Sequence, residues 1–210
     1  MTAEDLLQCA YGTTARAERF YKDQMLDHLN PAMIEFVKRM EMAFIATADA
    51  RGNTDCSFRA GPAGFIRVLD HQRVAYPEYR GNGVLASLGN ITENPHLSLL
   101  LIDFSTARIG LHLNGAGYVV TDEEIRTACP WIPVEQERGR RAERWVVLWV
   151  HEAYVHCRKH IPRLVKAPAD RAWGTDDVRS KGGDYFGVRS DKCSEKKAST
   201  LLQASSADGS

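Results

Sequence analysis

The chain carries no surplus of charge: 27 Lys+Arg stand against 27 Asp+Glu in 210 residues. A neutral balance provides no long-range field toward a polyanion, so a nucleic-acid partner is not expected, although a local basic pocket is compatible with it. No apolar run approaches the roughly 18 residues that a membrane span requires. The first residues, MTAEDLLQCAYGTTARAERF, place acids early and contain no apolar stretch followed by a small-residue cleavage site, so no secretory signal is expected. The five cysteines (Cys9, Cys56, Cys129, Cys157, Cys193) are scattered, without a C-x-x-C pair. That pattern predicts free thiols in a reducing cytoplasm rather than a disulfide framework. There is no internal repeat.

What is present is enough apolar residue, 44% of the total, to bury one sizeable core. A single domain over 1–188 is expected, with a helical segment at 1–42. The small, polar, lysine-rich stretch 189–210 is expected to be a disordered tail.

Helical pattern runs from about 15 to 28, and Asn30-Pro31 supplies a cap and a first-turn proline for a second helix with Ile34, Val37 and Met40 on one face. The period then changes to two. AFIATADARGN and DCSFRAG read as a hairpin across Asp49–Asn53, and GFIRVLD with RVAYP as another. Val84, Leu85, Leu88 and Ile91 return to helical spacing until Asn94-Pro95 stops them. HLSLLLIDF and RIGLHLNGAGYVV predict two long strands. Thr121 and Glu124 form a capping box for a short helix, and ERWVVLWVHEAYVHC predicts a further strand. Helices first and then about six strands argue for a mainly β, α+β fold: a six-stranded antiparallel barrel with short peripheral helices.

In a strand, Ser57 and Arg59 project from one face, and Gly61-Pro62 follow as a break where a ligand can approach the backbone. Arg80, Gly81 and Asn82 open into the helix that carries Ser87. A helix N-terminus flanked by arginines is a natural phosphate seat. The residues alone lead no further than a barrel with an anion pocket.

FIATADARGN, SFRAGP, YRGN and NPH occur in this order, and with the later AYVHCRKHIPRL and WGTDDVRSKGGDYFG they resemble the flavin-binding split-barrel family related to pyridoxamine phosphate oxidase, in its bacterial oxidase-like branch. The resemblance implies a homodimer holding FMN between subunits, with Ser57 and Arg59 toward the phosphate or ribityl chain. It implies that Arg80, Asn82 and Ser87 complete the phosphate seat and that Gly61 and Pro62 shape the backbone near the isoalloxazine. The implied activity is FMN-dependent electron or hydride transfer from a donor such as NAD(P)H to a small-molecule acceptor. The alternatives are a deazaflavin in place of FMN, or a non-catalytic flavin- or haem-binding protein. AGPAGF and HCRKHIPRL depart from the lysine-bearing strand and Arg-x-His of the pyridoxamine phosphate oxidases themselves, which points away from that substrate.

His156, Cys157 and His160 do not read as a metal site, since strand alternation separates the first two and no companion ligand pair exists. The basic Arg158, Lys159, His160 and Arg163 read either as a solvated surface turn or, as the resemblance implies, as a segment that closes over the cofactor cleft, with Lys159 and Arg163 favoured. Cys56 is expected in the core, and Trp145 and Trp149 on one face of their strand.

Overall fold

A computed structural model describes residues 1–167 and 173–192. Contacts group the chain into two compact units, Met1–Asp170 and Arg171–Ser210. In the first, helices α1 (Ala3–Ala10), α2 (Thr14–Gln24) and α3 (Pro31–Arg39) precede most of the sheet, with the short strand β1 (Met25–Leu26) between the last two. Then follow β2 (Met42–Ala48), β3 (Thr54–Ala60), β4 (Arg67–Val68), β5 (Arg73–Glu78), α4 (Ala86–Glu93), β6 (His96–Asp103), β7 (Ile109–Thr121), α5 (Asp122–Ala128) and β8 (Arg144–His156).

The strands form one antiparallel sheet in the order β3-β2-β6-β7-β8-β5-β4, with β1 added on β8. Six strands are long and two are two-residue pairs, so the expected six-stranded barrel is present with two short additions. β3 and β5 lie far apart in this order, yet the Arg59 side chain on β3 reaches Glu78 on β5. The sheet therefore curls until its two ends meet through side chains rather than through a ladder, which leaves a split.

Alternation explains what fills the curl. Ala43 and Ile45 of β2, Leu97, Leu99 and Leu101 of β6, Leu111 and Leu113 of β7, and Val146, Leu148 and Val150 of β8 all point inward and are buried. Phe36 and Val37 of α3 and Leu88 and Ile91 of α4 plug the ends. A smaller core lies outside the sheet, where Ile125 of α5 and Ile132 pack on Ala75, Trp145 and Val147.

Local signals account for most boundaries. Asn30 caps α3 through Met33 N–H with Pro31 in the first turn, and the Thr121–Glu124 capping box starts α5. Asp49 closes the β2–β3 hairpin by accepting from the side chain and backbone of Asn53, which hold its carboxyl at a pKa of about 2. Differences from expectation have physical causes. α2 ends at Gln24 rather than near 28 because Met25 and Leu26 pair with Tyr154 and Ala153 of β8. α4 begins at Ala86 because Gly83 and Leu85 have positive φ. The second hairpin retains only two residues of β4, since Phe65 and Ile66 leave the strand for the core.

Trp145 is buried under α5, donating its indole N–H to Asp122, whereas Trp149 is 45% exposed. Cys56, expected in the core, is exposed, because it lies on the outer face of edge strand β3. Four of the cysteines lie among the described residues and are free thiols. The expected tail falls mostly on 193–210, outside the described residues, while 188–192 begin a helical turn. Among the described residues no helix is long and apolar enough to cross a membrane.

Candidate functional site

β3 aims Asp55, Ser57 and Arg59 into the split, opposite Thr47, Ile45 and Ala43 of β2. α4 packs across the same opening and contributes Ser87, which is 3% exposed. The Ser57 and Ser87 hydroxyl oxygens lie 3.0 Å apart, and both donate to Asp55 Oδ2, at 2.7 and 2.9 Å. Arg59 donates from Nε to Glu78 Oε1 at 2.8 Å and from Nη2 to Ser87 Oγ at 3.5 Å. Leu85 at the start of α4 is left-handed, and no side chain caps the helix. The arrangement sets a guanidinium and two hydroxyls beside an uncapped helix N-terminus, a donor set suited to a phosphate or another planar or tetrahedral oxyanion.

Two carboxylates already accept those bonds. Burial pushes the Glu78 carboxyl up from its ordinary value, and the Arg59 bond offsets this only in part. Next to it on the same face of β5, Tyr76 is 1% exposed, and its hydroxyl has no hydrogen-bond partner among the described residues. Burial first, and the Glu78 charge second, raise its pKa well above that of an ordinary tyrosine, so it is a proton donor throughout the accessible pH range.

The sequence-derived residues separate into groups. Ser57, Arg59 and Ser87 come together. Gly61 and Pro62 follow directly, with Gly61 N–H bonded to Glu41 O, and a Cβ on Gly61 would stand 2.3 Å from Phe65 Cβ, so glycine is needed for the close turn. Arg80 and Asn82 lie on the exposed loop between β5 and α4, where Asn82 Oδ1 accepts from Val84 N–H. Lys159 and Arg163 are exposed on the segment after β8. That segment is tied to the β6–β7 turn by Arg158 to Ala107 O and Leu164 N–H to Phe104 O. It then reaches Glu41, beside Gly61, through Lys166, whose Nζ is 2.6 Å from both carboxylate oxygens.

Asp55, Tyr76 and Glu78 were not singled out by the sequence. Alternation in D-x-S-x-R and Y-P-E places each on the inward face, so the signal existed for their direction. What brings β3 and β5 together is the curl, which no local pattern encodes.

The outer face of the sheet is different in character. His112 Nε2 and His156 Nδ1 are 3.0 Å apart, and His112 stacks on Tyr154 at 4.6 Å. Asn114 bridges Ser98, Glu152 and Tyr154. A shallow groove of about 460 Å³ opens beside them, lined by His96, Ser98, Asn114, His151 and Glu152. Burial, and then the neighbouring His156 charge, lower the His112 pKa from its ordinary value, so that imidazole is neutral near pH 7. Phe58, on Phe44 at 5.6 Å, is 54% exposed on the same face.

Among curated proteins, none matches the sequence. Solved structures similar to the chain include HupZ of Group A Streptococcus, at 17% identity and TM-score 0.46, covering 65% of this chain and 99% of its own. The haem storage protein HutZ of Vibrio cholerae is similar at 16% identity and TM-score 0.44, covering 61% and 93%. An FAD-binding protein of Mycobacterium smegmatis is similar at 12% and 0.40, covering 62% and 97%. Likenesses this distant bear on neither ligand nor reaction. The family model described as pyridoxamine 5'-phosphate oxidase matches residues 29–157, more than half of the chain, from the lead-in to α3 to the end of β8, and the chain belongs to that family.

Proposed function

We propose that the chain is a homodimeric, FMN-dependent oxidoreductase that passes a hydride or electrons from a reduced donor such as NAD(P)H to a small-molecule acceptor. The observation that carries this reading is the convergence of Arg59, Ser57 and Ser87 at the uncapped start of α4. That donor set fits a phosphate monoester: the guanidinium supplies charge and a planar fork, and the helix end supplies aligned N–H groups. When bound, FMN supplies the redox chemistry, and the protein holds and orients it. Arg59 and Ser87 would grip the phosphate, with Ser57 beside it and the loop carrying Arg80 and Asn82 extending the seat. Gly61, which admits the close turn against Phe65, and Pro62 would shape the backbone beside the cofactor. Lys159 and Arg163, on the segment leading to Lys166 and Glu41, would bring positive charge to the rim of the cleft. The second copy would dock on the outer sheet face, where Phe44 and Phe58 stand exposed or half-buried.

The test is the absorption spectrum of the purified protein and of its Arg59→Ala variant. A flavin band is expected, with FMN affinity in Arg59→Ala lower by about 100-fold, the loss of a charge-assisted bond of about 3 kcal/mol. Full flavin retention in Arg59→Ala would refute the assignment of the phosphate seat.

The His112–His156 pair favours one second reading, a haem-binding protein without turnover, because an imidazole is a common iron ligand. A Soret band in place of a flavin band, lost in a His112→Ala, His156→Ala double variant, would establish it.

A further inference from the structure

The donor cluster contains a tension between two neighbours on β5. Glu78 is held on Arg59 at 2.8 Å with its side chain 13% exposed, while Tyr76 buries a hydroxyl that nothing accepts. A buried hydroxyl without a partner is destabilising, and a second arrangement of the site that uses it accounts for its persistence. Both side chains leave the same face of β5 two residues apart, about 6.6 Å along the strand, within mutual reach. Glu78 is the last residue of β5, and its carboxylate can accept from either partner.

We propose that Glu78 is an exchangeable internal anion: it holds the Arg59 guanidinium, and when a phosphate-class anion takes Arg59 it turns to accept the Tyr76 hydroxyl. The buried charge is then never left without a partner, and the hydroxyl gains one. Desolvation, which disfavours a buried carboxylate, is offset in the first arrangement by the guanidinium and in the second by the phenol. Glu78 therefore lowers the apparent affinity of the seat and sets a threshold that a weakly charged or poorly shaped anion does not pass. Tyr76 acts through Glu78 and is a positioning residue. The identity of the anion as the phosphate of FMN rests on the function proposed above; the exchange itself does not.

The experiment titrates the full chain with inorganic phosphate and, separately, with FMN, using wild type, Tyr76→Phe, Glu78→Gln, Glu78→Ala and the Tyr76→Phe, Glu78→Ala double variant. Thermal unfolding of each ligand-free protein is measured in parallel. Tyr76→Phe is expected to leave ligand-free Tm unchanged or higher, since the lost hydroxyl had no partner, and yet to weaken anion binding about tenfold. Glu78→Gln and Glu78→Ala are expected to tighten binding, and Tyr76→Phe to have no effect on binding in the Glu78→Ala background. A Tm loss of several degrees in Tyr76→Phe, or phosphate affinity unchanged by both Glu78 substitutions, overturns the exchange. If phosphate binds with these effects and FMN does not bind, the flavin reading fails and the exchange stands. If FMN binds wild type and every variant alike, the exchange fails and the flavin reading stands. Absence of binding by either probe to any of these proteins overturns both.

Discussion

At the scale of single residues, the strands place titratable groups in two close pairs that answer to different surroundings. Glu78 and Arg59 meet inside the split, where desolvation dominates the carboxylate; His112 and His156 meet on the outer face, where two cationic imidazoles 3.0 Å apart would repel. The His112 shift gives a pH dependence with a definite sign. Its folded pKa lies below the unfolded value, so the unfolded chain binds more protons in the window between them, and stability falls as pH is lowered through it. The contribution is complete above the ordinary histidine value near 6.5 and declines below it. Denaturant midpoints measured from pH 7.5 to 5 should therefore drop in the wild type and flatten in His112→Phe, which keeps the stack on Tyr154. A slope unchanged by that substitution would show that His112 is not the group responsible.

At the scale of elements, one bulge decides how β7 and β8 fit. Between Asn114 and Gly115 the register slips, so Asn114 opposes Glu152 while Gly115 opposes Val150. Gly115 lies so close to its neighbour that a Cβ would stand 1.9 Å from Trp149 O, a backbone atom that cannot swing aside. Gly115→Ala is expected to destabilise the protein by about 3 kcal/mol, read as a lower urea midpoint at unchanged slope, because either the bulge or the ladder must shift. The bulge also sets which side chains of β8 point inward on each side of it: Leu148 and Val150 before it, Ala153 after it. Without it, the polar bridge from Asn114 to Glu152 and Tyr154 would lie out of register with Ser98.

At the scale of the whole barrel, the curled sheet separates two surfaces of different character. The inner one is mostly apolar away from the split, where Asp55, Ser57, Arg59, Tyr76, Glu78 and Ser87 gather; the outer one carries half-exposed aromatic and polar residues over β2, β3, β6, β7 and β8. If a second copy covers that outer face, Phe58→Lys should convert a dimer to a monomer in light scattering while leaving secondary structure intact by circular dichroism, because the side chain already faces solvent in the single chain. A dimer of unchanged mass in Phe58→Lys would place the contact elsewhere. The order of the six long strands, the caps at Asn30 and Thr121, the Asp49–Asn53 turn and the direction of Ser57 and Arg59 were legible in the chain itself. Each depends on interactions within a few residues: period-two burial, a side-chain cap, a carboxylate on a turn. The pairing of Arg59 with Glu78, the orphaned Tyr76 hydroxyl, the exposure of Cys56 and the histidine pair across β7 and β8 were decided only by tertiary structure. They depend on how far the sheet curls and which strands become edges, and that is set by the sum of buried contacts over the whole barrel rather than by any local pattern.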